Sequence, residues 1–217
     1  MARYLFPKWS NRVLPMVAAF VLAPLGTAAA GGLWYYGTNK HVEVGYTPTQ
    51  PVDYSHKLHA GDLGIDCRYC HTAVDKSAQA SVPSTETCMN CHSKVKTDSQ
   101  KLLPVRESFA TGNPIPWVRV HNLADYAYFN HQAHATAGVA CQSCHGRVDQ
   151  MIKVSQAQPL SMGWCLDCHR NPEPNLRDPK DITKMVDETV PASVANLAAP
   201  PSQRKVSPPV HCSGCHR

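Results

Sequence analysis

The chain has 217 residues and a formal net charge of +5. Its lysines and arginines are scattered rather than gathered into a run, which reads as a solvated surface and gives no argument for a nucleic-acid partner. Aromatic content of 7% with 18 prolines is poor material for a conventional side-chain core.

In chain order, the first element is apolar. Arg3, Lys8 and Arg12 precede an uncharged run, Val13 to Tyr36, long enough to cross a bilayer as a helix. Positive charge before it and Trp34, Tyr35 and Tyr36 after it place residues 1–12 in the cytoplasm and the rest outside. A single-pass anchor in the cytoplasmic membrane is expected. A cleaved signal peptide is the competing reading, with "TAAAGG" as the cleavage site. Ala19, Ala23, Gly26 and Ala30 form a small-residue face that would let another membrane helix approach, and Pro15 and Pro24 can kink the segment. Residues 37–52 read as a connector.

The next stretch, "DYSHKLHAGDLGIDCRYCH" from Asp53, ends in Cys-x-x-Cys-His, the attachment signature of a c-type haem. Two cysteines three apart share one side of a helical turn, so both thiols can add to the vinyl groups along one porphyrin edge. The histidine that follows then falls beneath the ring as a proximal ligand. Five such runs occur: Cys67, Cys70, His71; Cys88, Cys91, His92; Cys141, Cys144, His145; Cys165, Cys168, His169; and Cys212, Cys215, His216. No cysteine lies outside them. Zinc normally takes two pairs, or a pair with histidines, for one tetrahedral site, and five pairs do not divide that way. A thioredoxin-type dithiol suits one pair, not five. Five covalent haems c are therefore expected. They would serve as the core, and their propionates would offset the basic excess of the polypeptide.

An internal repeat organises this region. "YSHKLHAGDLGIDCRYCHTAV" from Tyr54 parallels "FNHQAHATAGVACQSCHGRV" from Phe129, each an aromatic, His-x-x-His, a short loop and a haem run. A second haem run follows each. Residues 53–128 and 129–170 then read as two dihaem modules, and 171–217 as a proline-rich extension carrying the fifth haem. That extension should be largely extended, wrapping over the other haems or reaching a partner, with one helix across "DITKMVDETV". The expected fold is mainly helical and irregular, a multihaem cytochrome c of class III-like type. It has short helices at the haem runs, little or no sheet, and one N-terminal transmembrane helix.

Seven histidines remain for the distal positions. His56, His59, His131 and His134 are the expected ligands, because His-x-x-His on one turn points two imidazoles the same way at different heights and can serve two neighbouring haems. His121, in "WVRVHNL", is taken as the fifth, against a plain surface histidine. His41, just past the membrane helix, reads as interfacial, and His211, beside Cys212, as a spare. Met151 and Met162 lie near haem runs and are alternative distal ligands. A His/Met pair would raise the iron's potential, while packing against a porphyrin face is the simpler role for either.

"SHKLHAGDLGIDCRYCH", "SVPSTETCMNCH", "WVRVHNLADYAYFNHQAH", "CQSCHGRVDQM" and "PLSMGWCLDCHRNP" together resemble the pentahaem cytochrome c subunit of alternative complex III, a quinol-oxidising membrane complex of respiratory or photosynthetic electron transport. The resemblance implies an electron-relaying subunit that is not itself catalytic. Its implied partners are an iron–sulfur subunit, integral quinol-binding subunits, monohaem cytochrome c and a soluble or terminal acceptor. A multihaem reductase is disfavoured by the histidine supply and by the lack of any Cys-x-x-Cys-Lys variant. A membrane-anchored quinol dehydrogenase of NapC/NrfH type usually has its first haem run nearer the helix, with a methionine soon after it. "CRYCHTAV" has none.

Overall fold

The structure, a computed structural model, describes residues 7–38, 43–186 and 206–216. The chain divides into two compact units, Met1–Glu43 and Val44–Arg217. The first contains helix α1, Ser10–Tyr36, with a mean hydropathy of 2.0 over its most apolar window. At 1.5 Å per residue it is about 40 Å long, enough to span a bilayer. That length and composition suit a membrane anchor and equally a signal sequence. Within it, Ala18–Leu22 forms a π turn. Pro24 has no N–H for the carbonyl of Phe20, and widening the turn just before it accommodates the missing bond.

The second unit is built from short helices and loops. They are α2 Lys57–Asp62, α3 Cys67–Cys70, α4 Thr85–His92, α5 Leu103–Thr111, α6 His131–Ala137, α7 Cys141–His145 and α8 Met162–Arg170. Pairing among the described residues is limited to two isolated antiparallel bridges, Ala127 with His216 and Val139 with Leu176. The buried apolar side chains are Val52, Val105, Ala135, Ala140, Leu176 and Ile182. All are aliphatic and small to medium.

Local signals start and stop the helices that present the histidines and cysteines. Asp66 accepts from the Arg68 N–H at 2.8 Å to cap α3, Asn130 from Ala133 at 3.4 Å to cap α6, and Ser161 from Trp164 at 3.4 Å to cap α8. Helix α6 ends on Gly138 at φ 95°, where the Arg177 carbonyl occupies the place a side chain would take. The fifth haem run forms a single 3-10 turn, Cys212–Gly214, rather than an α-helix. Pro209 folds back against Gly214 so closely that a Cβ there would meet its ring.

The two His-x-x-His repeats differ in the loop that follows the second histidine. The loop from His59 to Cys67 is one residue longer than that from His134 to Cys141. Helix α2 absorbs the extra residue by widening into a π turn, whereas α6 is regular. The segments around the two repeats also interlock. The first N–H groups of α6, His131 and Gln132, donate to the carbonyls of Ala78 and Ser77 at 3.2 and 3.1 Å. In return, Gly61 of α2 lies directly against the Asp149 carbonyl, and the Lys57 N–H donates to Met151 at 2.9 Å. Part of the segment read as a connector joins this unit: Gly45 and Tyr46 exchange hydrogen bonds with Gln156 at 2.8 and 3.1 Å.

Expected to be largely extended, the extension over residues 171–186 instead runs beside the first and third haem runs as turns and irregular backbone, with a 3-10 turn at Glu173–Asn175. Pro179 accepts from Arg68 at 2.7 Å, Thr183 donates to Asp66 at 2.7 Å, and Ile182 accepts from the Cys141 N–H at 3.0 Å. The helix expected across "DITKMVDETV" does not form over Asp181–Val186, and the rest of that stretch lies outside the described residues. The Gln142 amide both donates to and accepts from the Val186 backbone, at 3.2 and 2.9 Å. That side chain supplies the partners a helix would otherwise provide, so tertiary contact overrides local propensity.

Candidate functional site

The site is assembled from the histidine pairs on α2 and α6 and the five Cys-x-x-Cys-His runs. Tyr54 stacks on His59 (4.5 Å, 22°) and meets His56 edge-on (4.7 Å, 87°). Phe129 repeats this with His134 (4.5 Å, 29°) and His131 (4.7 Å, 88°). The aromatic seen in each sequence repeat thus orients both imidazoles of its pair.

Those imidazoles face the haem-run histidines. His59 lies 6.2 Å from His92 between ring centres, His131 lies 6.4 Å from His145, and His134 lies 6.1 Å from His169. An iron bound by two imidazoles, with metal–nitrogen bonds of about 2 Å, sets ring centres about 6 Å apart, so these pairs fit a shared metal. Burial, with the neighbouring His71 and then His59 adding to it, lowers His56 to about 4.

The second ring nitrogens are held elsewhere. Nδ1 of His71 bonds the Ser81 carbonyl (2.7 Å), His92 that of Val95 (3.0 Å), His169 that of Pro209 (2.7 Å) and His216 that of Tyr126 (3.0 Å). In the His-x-x-His pairs, Nδ1 of His59 bonds the Ser55 carbonyl (2.9 Å), that of His131 the Ala78 carbonyl (2.9 Å) and that of His134 the Asn130 carbonyl (2.8 Å). A carbonyl accepts only from N–H, which leaves Nε2 unprotonated and available to iron. Burial favours the same neutral form. It lowers His145 to about 3, aided by His121 and His131, and it lowers His134.

Cysteines of different runs lie within electrostatic reach of one another. Cys67 and Cys141 hydrogen-bond, which pulls Cys67 down and pushes Cys141 up. Burial raises Cys70, with Cys88 adding to it, and raises Cys144 to about 12, with Cys168 and Cys165 adding. Burial likewise raises Cys165, and Cys215 is the next contributor. These couplings link the first run to the second and the third, and the fourth run to the third and the fifth.

The remaining histidines and methionines lie elsewhere. His121 does not stand opposite a haem-run histidine across a metal-sized gap. Its Nε2 is 3.3 Å from Nδ1 of His145, with ring centres 4.4 Å apart. The ring that meets His216 among the described residues is Tyr126, at 5.7 Å. His211 is exposed and stays beside its own run, where its Nε2 would lie 3.6 Å from a Cβ on Gly214. Met162 is 61% exposed at the start of α8, and the Met151 sulfur lies 3.9 Å from the Ser155 hydroxyl. His41 lies outside the described residues. The carbonyls at Ser81, Val95, Pro209 and Tyr126 carry no side-chain signal, and sequence reasoning had no means of finding them.

Cys-x-x-Cys-His runs whose histidines face second imidazoles at this spacing define a multihaem cytochrome c. The chain belongs to the family of cytochrome c7 and related cytochromes c, whose profile matches residues 52–106 and 127–217, and that family implies covalently bound c-type haem. The chain is also similar to the menaquinone reductase, multiheme cytochrome c subunit, of Nitratidesulfovibrio vulgaris, with 35% identity over 97 residues. The matched part spans 44% of this chain and 45% of that protein, so less than half of the relative's length is covered.

Proposed function

We propose that the protein is a pentahaem electron-transfer subunit of a membrane quinone-linked complex, with a cytochrome c domain held outside the membrane by α1. Haem iron bound at the five runs alternates between ferrous and ferric and so carries single electrons. The chain's own residues fix ligation and order. His56 and His71, His59 and His92, His131 and His145, and His134 and His169 form four axial pairs, with His216 the proximal ligand of the fifth site. The observation that carries the reading is the metal-sized spacing of three of these pairs, 6.1 to 6.4 Å, each with Nδ1 turned away. The neighbour order of the thiols supports a linear relay, with the second and fifth runs at its ends.

Motif resemblance favours alternative complex III as the parent complex. Electrons from quinol oxidation would then leave toward a cytochrome c or a terminal acceptor. The partners on that reading are the integral quinol-binding subunits, the iron–sulfur subunit and monohaem cytochrome c. The similarity to a menaquinone reductase subunit supports a second reading, in which electrons pass the other way, onto quinone. Membranes containing the intact complex decide between them. Quinol-dependent reduction of an added cytochrome c supports the first, and reduction of a menaquinone analogue by a pre-reduced cytochrome supports the second. Mass measurement of the purified chain should show five haem additions, and fewer would overturn the pentahaem assignment.

A further inference from the structure

We infer that His121 is not an axial ligand but a positioning residue that accepts a hydrogen bond from the iron-ligating imidazole of His145 and thereby tunes the haem at Cys141 and Cys144. Among the five haem-run histidines, four direct Nδ1 to a backbone carbonyl, whereas Nδ1 of His145 meets an imidazole nitrogen, Nε2 of His121, at 3.3 Å. His145 already faces His131 on its other side at 6.4 Å with rings 11° from parallel. Ring centres 4.4 Å apart leave no place for a metal between His121 and His145. With Nε2 of His145 committed to iron, its Nδ1 must carry the proton, so His121 must accept through Nε2 and keep its own proton on Nδ1.

His121 is placed for this by its own segment. The Gln50 side chain donates to the Val118 carbonyl at 2.7 Å and accepts from the Val118 N–H at 2.9 Å. This clasp pins the extended strand three residues ahead of His121. The segment 107–126 lies between the two stretches that match the family profile. The special hydrogen bond therefore comes from a part of the chain the profile does not describe, onto a haem run that it does.

An imidazole nitrogen is a stronger base than a peptide carbonyl, so it draws the His145 proton further and makes His145 a more electron-donating ligand. That favours ferric iron and lowers the potential of this one haem. The inference rests on the axial role proposed for His145, which the haem count by mass tests first on the unaltered holoprotein.

The test compares full-length holoprotein with His121→Leu and His121→Gln. Redox titration of His121→Leu should show one of the five potentials shifted upward and the others unmoved, with His121→Gln, whose amide oxygen can accept, returning toward the original value. Neither variant should gain a high-spin ferric signal or bind more carbon monoxide than the parent. A new high-spin, carbon-monoxide-binding haem in either variant would make His121 an axial ligand and overturn the inference. Five unchanged potentials in His121→Leu would overturn it as well. Gln50→Ala, which frees Val118 without touching the imidazole, should move the same potential in the same direction by less.

Discussion

At the scale of single residues, the protein's chemistry depends on keeping imidazoles neutral and aimed. Tyr54 and Phe129 each grip two histidines, and backbone carbonyls take the ring N–H that would otherwise rotate away. Removing one facing imidazole should open a single metal site. His134→Ala is expected to give a high-spin ferric component and carbon monoxide binding equivalent to one haem, read by visible spectroscopy, with the other sites unaffected. Protons act on the same groups. Burial holds His56 near 4 and His145 near 3 in the folded chain, against about 6.5 when unfolded. As pH falls below about 6.5 the unfolded state takes up protons first, so each such histidine costs up to about 1.4 kcal/mol of stability per pH unit. The loss levels off only once pH passes the folded values. Thermal melts should therefore drop steadily from pH 7 toward pH 4, and iron ligation, which also requires the neutral ring, acts in the same direction.

Among the elements, the repeat explains most of what is seen. Helices α2 and α6 do the same work, and the single extra residue before Cys67 is taken up as a π turn instead of displacing the histidines. Close backbone approaches lock these elements together. Gly138 stands at φ 95° against the Arg177 carbonyl, so Gly138→Ala adds both a strained backbone and a clash. It should lower stability by about 1–3 kcal/mol, read as a fall in melting temperature. Gly61, pressed on the Asp149 carbonyl by its position rather than its φ, should respond less to the same change. Sequence inspection marks both only as glycines near helix ends, because the carbonyls they face are distant in the chain.

For the molecule as a whole, the order of the attachment thiols matters more than any one site. On the proposed relay the third run stands between the first, to which Cys141 is linked by Cys67, and the fourth, whose cysteines act on Cys144. Cys141→Ala with Cys144→Ala should therefore interrupt transfer between the ends of the chain, while removal of the fifth run at Cys212 and Cys215 should shorten the relay and leave the other four haems mutually reducible. Stopped-flow reduction monitored across the haem bands checks both. A chain that still passes electrons end to end without the third haem would contradict the linear order.

By itself the sequence determined the haem-binding chemistry, the repeated aromatic and His-x-x-His arrangement, the mainly helical architecture without sheet, and an apolar N-terminal helix. Each is written locally, in spacings of one to four residues or in one uninterrupted hydrophobic run. Contacts between distant residues decided the rest. The extension stays non-helical at Asp181–Val186, where Gln142, far upstream, satisfies the backbone of Val186. His121 meets His145 because Gln50 fixes the strand that carries it. Which imidazole faces which depends on how the segments around the two repeats interlock, and no local spacing encodes that.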